Sequence, residues 1–291
     1  MARDLNVLID GGHFFEAPRW RDGKWWVSDF YAHRVYSITP DGQATVELDV
    51  PNQPSGLGWL PDGSLLVVSM LDHKVLRRDL DGTVSEYADI SEYCGGHAND
   101  MLVTPDGNAY VGNFGFDLKS LRDPAPTSVV RIAPDRSVSV AAADVNFPNG
   151  SVVLSDGVTM VIGETLGACY TAWTIQPDGS LTDRRTWAEL GSPMLVDDGG
   201  TVAAFPSVAP DGCAVDAHDR IWMADAVGAR VALVEEGGNI VDEIRAPDGL
   251  GCFACALGGP DGNTLLVCAA PDYFAEQRNS ATEAVLFTVA L

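Results

Sequence analysis

Residues 96 to 114 read Gly96-His97-Ala98-Asn99-Asp100-Met101-Leu102-Val103-Thr104-Pro105-Asp106-Gly107-Asn108-Ala109-Tyr110-Val111-Gly112-Asn113-Phe114. Two short apolar runs flank Pro105-Asp106-Gly107. Proline presets the φ angle of a turn and glycine supplies positive φ, so the stretch is expected to fold as a β-hairpin. Asn99 opens its first strand and Asn113 ends its second.

The same pattern recurs along the chain, and internal repeats decide the architecture. It returns at Glu16–Asp29, Ser55–Met70, Asn149–Glu164, Asp211–Asp225 and Phe253–Cys268. The starts lie roughly 40 to 60 residues apart, the spacing of four-stranded propeller blades. A weaker hairpin follows each strong one, as in Val35-Tyr36-Ser37-Ile38 with Ala44-Thr45-Val46-Glu47-Leu48. The last unit has only Ala284-Val285-Leu286-Phe287-Thr288-Val289 left to it. Its missing outer strand is expected from Leu5-Asn6-Val7-Leu8-Ile9, which would seal the ring and remove exposed edges. The reading is an all-β fold: a six-bladed β-propeller of four-stranded blades, one domain over residues 1–291, closed by the N-terminal strand. A pair of β-sandwiches is the alternative. Two stretches, Gly115 to Thr127 and Ala188 to Pro210, are longer than hairpin connections, and such loops are usually lids or mobile segments.

Bulk properties narrow the function. The 291 residues are 46% hydrophobic, enough for a large core, and carry 41 acidic against 18 basic side chains, a net charge of −23. Such a surface repels phosphate backbones and anionic lipid, which argues against nucleic-acid and membrane partners. The expected partner is a small-molecule substrate; oligomeric state is left open. The cysteines are Cys94, Cys169, Cys213, Cys252, Cys255 and Cys268. Only Cys252 and Cys255 form a C-x-x-C, with no second pair to complete a zinc site, so the thiols are expected to be reduced, buried and apolar in behaviour. The N-terminus has no apolar signal core, and no apolar run approaches the ~20 residues of a membrane span. A cytoplasmic location is the expectation.

In a propeller the innermost strand of each blade starts at the face where blade crossovers arrive. Glu16, Asn99, Asn149 and Asp211 are therefore expected to ring one channel mouth, with Asp29, Asn113, Glu164 and Asp225 just outside them. Unpaired carboxylates in a crowded, partly dry mouth are costly. A divalent cation would resolve the repulsion between Glu16 and Asp211. Oxygen-only ligands suit calcium, magnesium or manganese better than copper. Capping of turns by Asn and Asp is the competing explanation.

The chain resembles the gluconolactonase/regucalcin (senescence marker protein) family of six-bladed propeller lactonases, and more distantly the paraoxonases. The matching runs are Phe15-Glu16-Ala17-Pro18-Arg19-Trp20, Asn99-Asp100 with Pro105-Asp106-Gly107, Pro148-Asn149-Gly150, Pro210-Asp211-Gly212-Cys213-Ala214-Val215-Asp216 and Gly251-Cys252-Phe253-Ala254. The resemblance implies one catalytic divalent ion on Glu16, Asn149 and Asp211. Calcium is the expected ion, with magnesium, manganese or zinc as alternatives. It also implies Asn99 as a substrate contact and Asp211 as general acid/base. Sugar-lactone members carry an Arg two residues before the Asn99 position, where this chain has His97, a base, a substrate donor or a packed histidine. Phe14, Phe30, Tyr31, Phe114, Phe116, Trp173 and Met194 enrich the surrounding loops in apolar groups. The expected substrate is a fairly apolar lactone or related ester, contacted by Asn99, His97, Glu164, Phe114, Phe116 and Trp173. No Gly-x-Ser-x-Gly elbow is present, which argues against a serine hydrolase. Two other readings fit the same residues: a metal-dependent isomerase, dehydratase or condensing enzyme, and a non-catalytic calcium-binding propeller.

Overall fold

Strand alternation and turn chemistry build six four-stranded antiparallel sheets in the computed structural model, which describes residues 3–118 and 123–291. Blade 1 comprises Phe15–Arg21, Lys24–Asp29, Arg34–Ile38 and Ala44–Asp49. Blade 2 comprises Pro54–Trp59, Leu65–Ser69, Lys74–Arg78 and Val84–Asp89. Blade 3 runs through Ala98–Val103, Ala109–Asn113, Thr127–Ile132 and Val138–Val145, and blade 4 through Pro148–Val153, Thr159–Glu164, Cys169–Ile175 and Leu181–Glu189. Blade 5 is Pro210–Val215, Ile221–Asp225, Arg230–Val234 and Ile240–Arg245. Blade 6 takes Gly251–Gly258, Thr264–Ala270 and Ala284–Ala290 from the C-terminal part and Asn6–Gly12 from the start of the chain. The first strand of each of the first five blades is its innermost; in blade 6 it is Gly251–Gly258. Neighbouring inner strands touch in ring order, and the inner strand of blade 6 touches that of blade 1. The expected closure is present: Asn6 pairs with Thr288 and Gly12 with Ala284, antiparallel.

Burial explains which strands are easy to see in the sequence. Second strands are packed between adjacent blades on both faces; Leu65–Ser69, Ala109–Asn113 and Ile221–Asp225 are buried at every position. A strand covered on both faces reads as a continuous apolar run. Outer strands such as Ala44–Asp49 and Val84–Asp89 are largely exposed, so their signal is faint.

The 188–210 connection folds back as a small hairpin, Leu195–Val196 with Val202–Ala204. Asp197 accepts the N–H groups of Gly199 and Thr201 in its turn. The Asp123 N–H donates to the Gly200 carbonyl at 2.8 Å and ties the two long connections together. Within the Gly115–Thr127 connection, residues 119–122 lie outside the described residues. All six cysteines are free thiols; Cys94 and Cys169 are only half-buried, which corrects the expectation of uniform burial. Burial pushes the Cys213 and Cys252 thiols up to about 12, so both stay protonated. Among the described residues, no helix is long and apolar enough to cross a membrane.

Candidate functional site

Strand register puts the polar residues in equivalent places. The first pairs between inner and second strands are Phe15 with Asp29, Pro54 with Ser69, Ala98 with Asn113, Pro148 with Glu164 and Pro210 with Asp225. The residue after each inner member is Glu16, Ser55, Asn99, Asn149 and Asp211 in turn. A register shift follows at once in every one of these strands. A bulge bends a strand and re-aims its side chains. Four of the five residues, Glu16, Asn99, Asn149 and Asp211, line one cavity of about 300 Å³. Backbones pass closely behind them. A Cβ on Gly150 would stand 2.5 Å from the Asp211 carbonyl oxygen, and one on Gly56 2.3 Å from the Met101 nitrogen.

The outer ring is engaged with backbone amides. Asp29 accepts the N–H groups of His13, Phe14 and Ala32. Asn113 Oδ1 accepts those of Gly95 and Gly115 and the Thr127 hydroxyl. Asp225 accepts from Ala209 and Gly228 N–H and from Arg230 Nε. Each fastens the chain that enters or leaves its blade. Glu164 is spent in the same way, on the Asn146 N–H and amide, the Thr171 hydroxyl and Arg184. It is not among the cavity residues, and its expected contact with substrate is corrected. Trp173 is likewise corrected: it packs inside blades 3 and 4 with Tyr110, Met160 and Ile162, under the Arg184 guanidinium.

Polar contacts assign roles at the cavity floor. Asn149 Nδ2 donates to Thr165 Oγ1 at 3.2 Å, so its Oδ1 remains as an oxygen donor. Thr165 passes its own proton to the Pro210 carbonyl at 2.7 Å. Glu16 Oε2 accepts the Ala17 N–H at 2.9 Å. Neither Glu16 nor Asp211 forms an ion pair with a Lys or Arg among the described residues. Burial, and then the charge of Asp211, push the Glu16 carboxyl well above the usual carboxylate range. Burial and then Asp100 do the same to Asp211, which keeps part of its surface open toward the cavity it lines.

The donor set fits a hard divalent cation: two carboxylates without cationic partners and an amide oxygen. Among the described residues, no three His, Cys, Asp or Glu side chains form a ready-made cage, so the amide of Asn149 is needed to complete the set.

Aromatic walls rise from this floor. Phe14 packs against Phe30 and Phe253, with centroids 5.3 and 4.9 Å away. Phe114 stacks on Phe147 at 4.5 Å, with the His97 ring 5.8 Å from Phe114. Phe116, Tyr31 and Met194 also line the cavity. Sequence reasoning missed Phe147, Phe253, Tyr273 and Phe274. The last two sit on the excursion between the second and third strands of blade 6, beside the short helix Ala275–Arg278. Adjacent aromatics in that otherwise polar loop were the available signal.

The sequence model described as the SMP-30/Gluconolactonase/LRE-like region matches residues 14–271. The 6-deoxy-6-sulfogluconolactonase of Pseudomonas putida is 25% identical over 256 residues, covering 87% of this chain and 81% of its own. Two solved structures share the fold. A gluconolactonase of Xanthomonas campestris has a TM-score of 0.74 at 23% identity, over 99% of this chain and 89% of that one. A regucalcin of Agrobacterium tumefaciens, described as calcium-binding, has a TM-score of 0.79 at 20% identity, over 99% and 94%.

Proposed function

The chain belongs to the SMP-30/gluconolactonase/LRE-like family, and from that premise we propose that it is a divalent-cation-dependent lactonase acting on a fairly apolar lactone or related ester. The observation that carries the reading is the convergence of Glu16, Asn149 and Asp211 with Asn99 at the floor of an aromatic-walled cavity. Glu16, Asn149 and Asp211 would hold the cation, calcium by their donor chemistry, and when bound it would supply Lewis-acid polarisation of a carbonyl.

The chain's own groups do the rest. Asn99 offers its Nδ2 to the acyl or ring oxygen and sets the orientation of the substrate. A water oxygen bonds to the acyl carbon while an Asp211 carboxylate oxygen takes its proton. The ring C–O bond then breaks, and Asp211 returns the proton to the leaving alkoxide. Phe14, Phe114 and Phe253 hold the apolar part of the substrate and exclude bulk water. His97 stands at the mouth as a further polar contact.

The test is a panel of lactones and esters offered to chelated protein, with calcium, magnesium, manganese or zinc added back singly. Turnover is expected only with cation, and the product acid should carry one oxygen from labelled water. Turnover that survives chelation removes the cation from the reading. A product without solvent oxygen replaces hydrolysis with an isomerase- or dehydratase-type reaction on the same site.

A further inference from the structure

Arg19 lies on the inner strand of blade 1, just past the bulge that aims Glu16 at the cavity. Its guanidinium turns inward. Nη2 donates to Asp100 Oδ1 at 3.0 Å and to the Met101 carbonyl at 2.8 Å, and Nη1 donates to the Pro18 carbonyl at 2.9 Å. Asp100 and Met101 belong to blade 3, so a side chain from blade 1 passes blade 2 to reach them. Blade 2 presents Gly56 against Met101, where any side chain would collide.

The oxygens around this guanidinium are a carboxylate and two backbone carbonyls. That is the hard-donor set a calcium or magnesium ion takes. Asp100 also acts electrostatically on both Glu16 and Asp211, and Arg19 acts on Glu16 in the opposite sense. The pair and the proposed ligands therefore form one charge cluster.

We infer that Arg19 is a built-in counter-ion standing where a second divalent cation would otherwise be drawn, and that it limits the floor to one exchangeable cation. The inference rests on the cation-binding reading of Glu16, Asn149 and Asp211. Three carboxylates are then met by one guanidinium and one divalent ion, and the floor is neutral. A tethered guanidinium cannot be chelated away, and its planar fork fits one carboxylate and two carbonyls at once, which an ammonium cannot do in the same geometry. Arg19 is thus a positioning residue: it touches neither substrate nor reacting atoms.

A plain strut across the channel is the rival explanation, and cation binding separates the two. Metal-depleted wild type, Arg19→Met, Arg19→Lys and Asp100→Asn proteins are titrated with calcium chloride by calorimetry, with bound metal counted by elemental analysis and folding followed by thermal melting. Wild type and Arg19→Lys should bind one equivalent, and Arg19→Met two. Asp100→Asn leaves the guanidinium uncompensated beside Glu16, so it should bind one equivalent about tenfold or more weakly, by Coulomb repulsion. Opposite responses to removing the two partners are the signature. A strut predicts lower melting temperatures in both variants with cation number and affinity unchanged, and that result overturns the inference. Should Arg19→Met fail to fold, unchanged calcium affinity in Asp100→Asn overturns it alone. A wild type that binds no cation beside an Arg19→Met protein that binds one supports Arg19 as the surrogate and removes the proposed ligand set. No binding to any of the four overturns both.

Discussion

The hydroxyl of Ser55 donates to Oδ1 of Asn99, 3.1 Å away across the boundary between blades 2 and 3. The Ser28 hydroxyl in turn holds the Ser55 carbonyl at 2.6 Å, so the support reaches back to blade 1. An amide whose oxygen is engaged presents its NH₂ group to whatever lies in front of it. Ser55→Ala should therefore lower kcat/KM by roughly two- to tenfold, the worth of one net hydrogen bond. Cation affinity should stay unchanged. A variant with wild-type kcat/KM would show that Asn99 needs no such support.

Glu16→Gln keeps the size of the side chain and removes its charge. Elemental analysis of the purified variant should find the divalent ion lost or weakened, because a neutral amide is a poorer ligand for a hard cation than a carboxylate. Full occupancy would take Glu16 out of the site.

Asp211→Asn separates holding the cation from moving the proton. The variant retains a ligating oxygen and loses the proton acceptor. At saturating cation, kcat should still fall by about 10²–10⁴-fold, the usual loss with a general base. Several cation concentrations are needed, since one alone mixes the two effects. Near wild-type turnover in a saturated variant would sink the base assignment.

Phe114 lies flat on Phe147 at 4.5 Å and forms one wall of the cavity. Wild type should turn over apolar lactones with a higher kcat/KM than gluconolactone-like ones. Phe114→Ala should raise KM for the apolar compounds about tenfold, as expected for loss of an aromatic contact of ~1.4 kcal/mol or more, and change the polar ones little. The reverse ranking in wild type would make the aromatic walls packing rather than recognition.

Two sets of carboxylates pull stability in opposite directions with pH. Asp62, held down first by the Ser64 N–H, and Asp178, held down first by the Ser180 hydroxyl, lie below the ordinary carboxylate value. Groups of this kind add stability at neutral pH that is lost as pH falls through their folded values. Glu16 and Asp211 are raised by burial and by like charge. The folded protein then binds protons that the unfolded chain has released, so stability is lost as pH rises through the raised values. Melting of chelated protein should therefore be highest at mildly acidic pH and fall on both sides. Calcium should abolish the alkaline fall only, because it takes the place of those protons. A chelated protein equally stable at pH 5 and pH 8 would contradict the assignment.

Sequence alone determined the blades, because second strands packed between blades read as mostly apolar runs, and a turn such as Pro-Asp-Gly, present in blades 2, 3 and 6, marks where the inner hairpin reverses. It also determined the inner ring: Glu16, Asn99, Asn149 and Asp211 follow from repeat-equivalent positions, and a repeat brings equivalent positions to one mouth. Only the tertiary structure decided which polar residues face the cavity. Asp29, Asn113, Glu164 and Asp225 repeat just as regularly, yet they face crossover amides, since buried N–H groups must be paired. Contacts that fall outside the repeat are equally silent in sequence. Arg19 meets Asp100 from 81 residues away, and Tyr273 joins Phe14 at the same cavity from a loop outside the repeat. Such pairings depend on how six blades close into a ring, and no local pattern of residues encodes that distance.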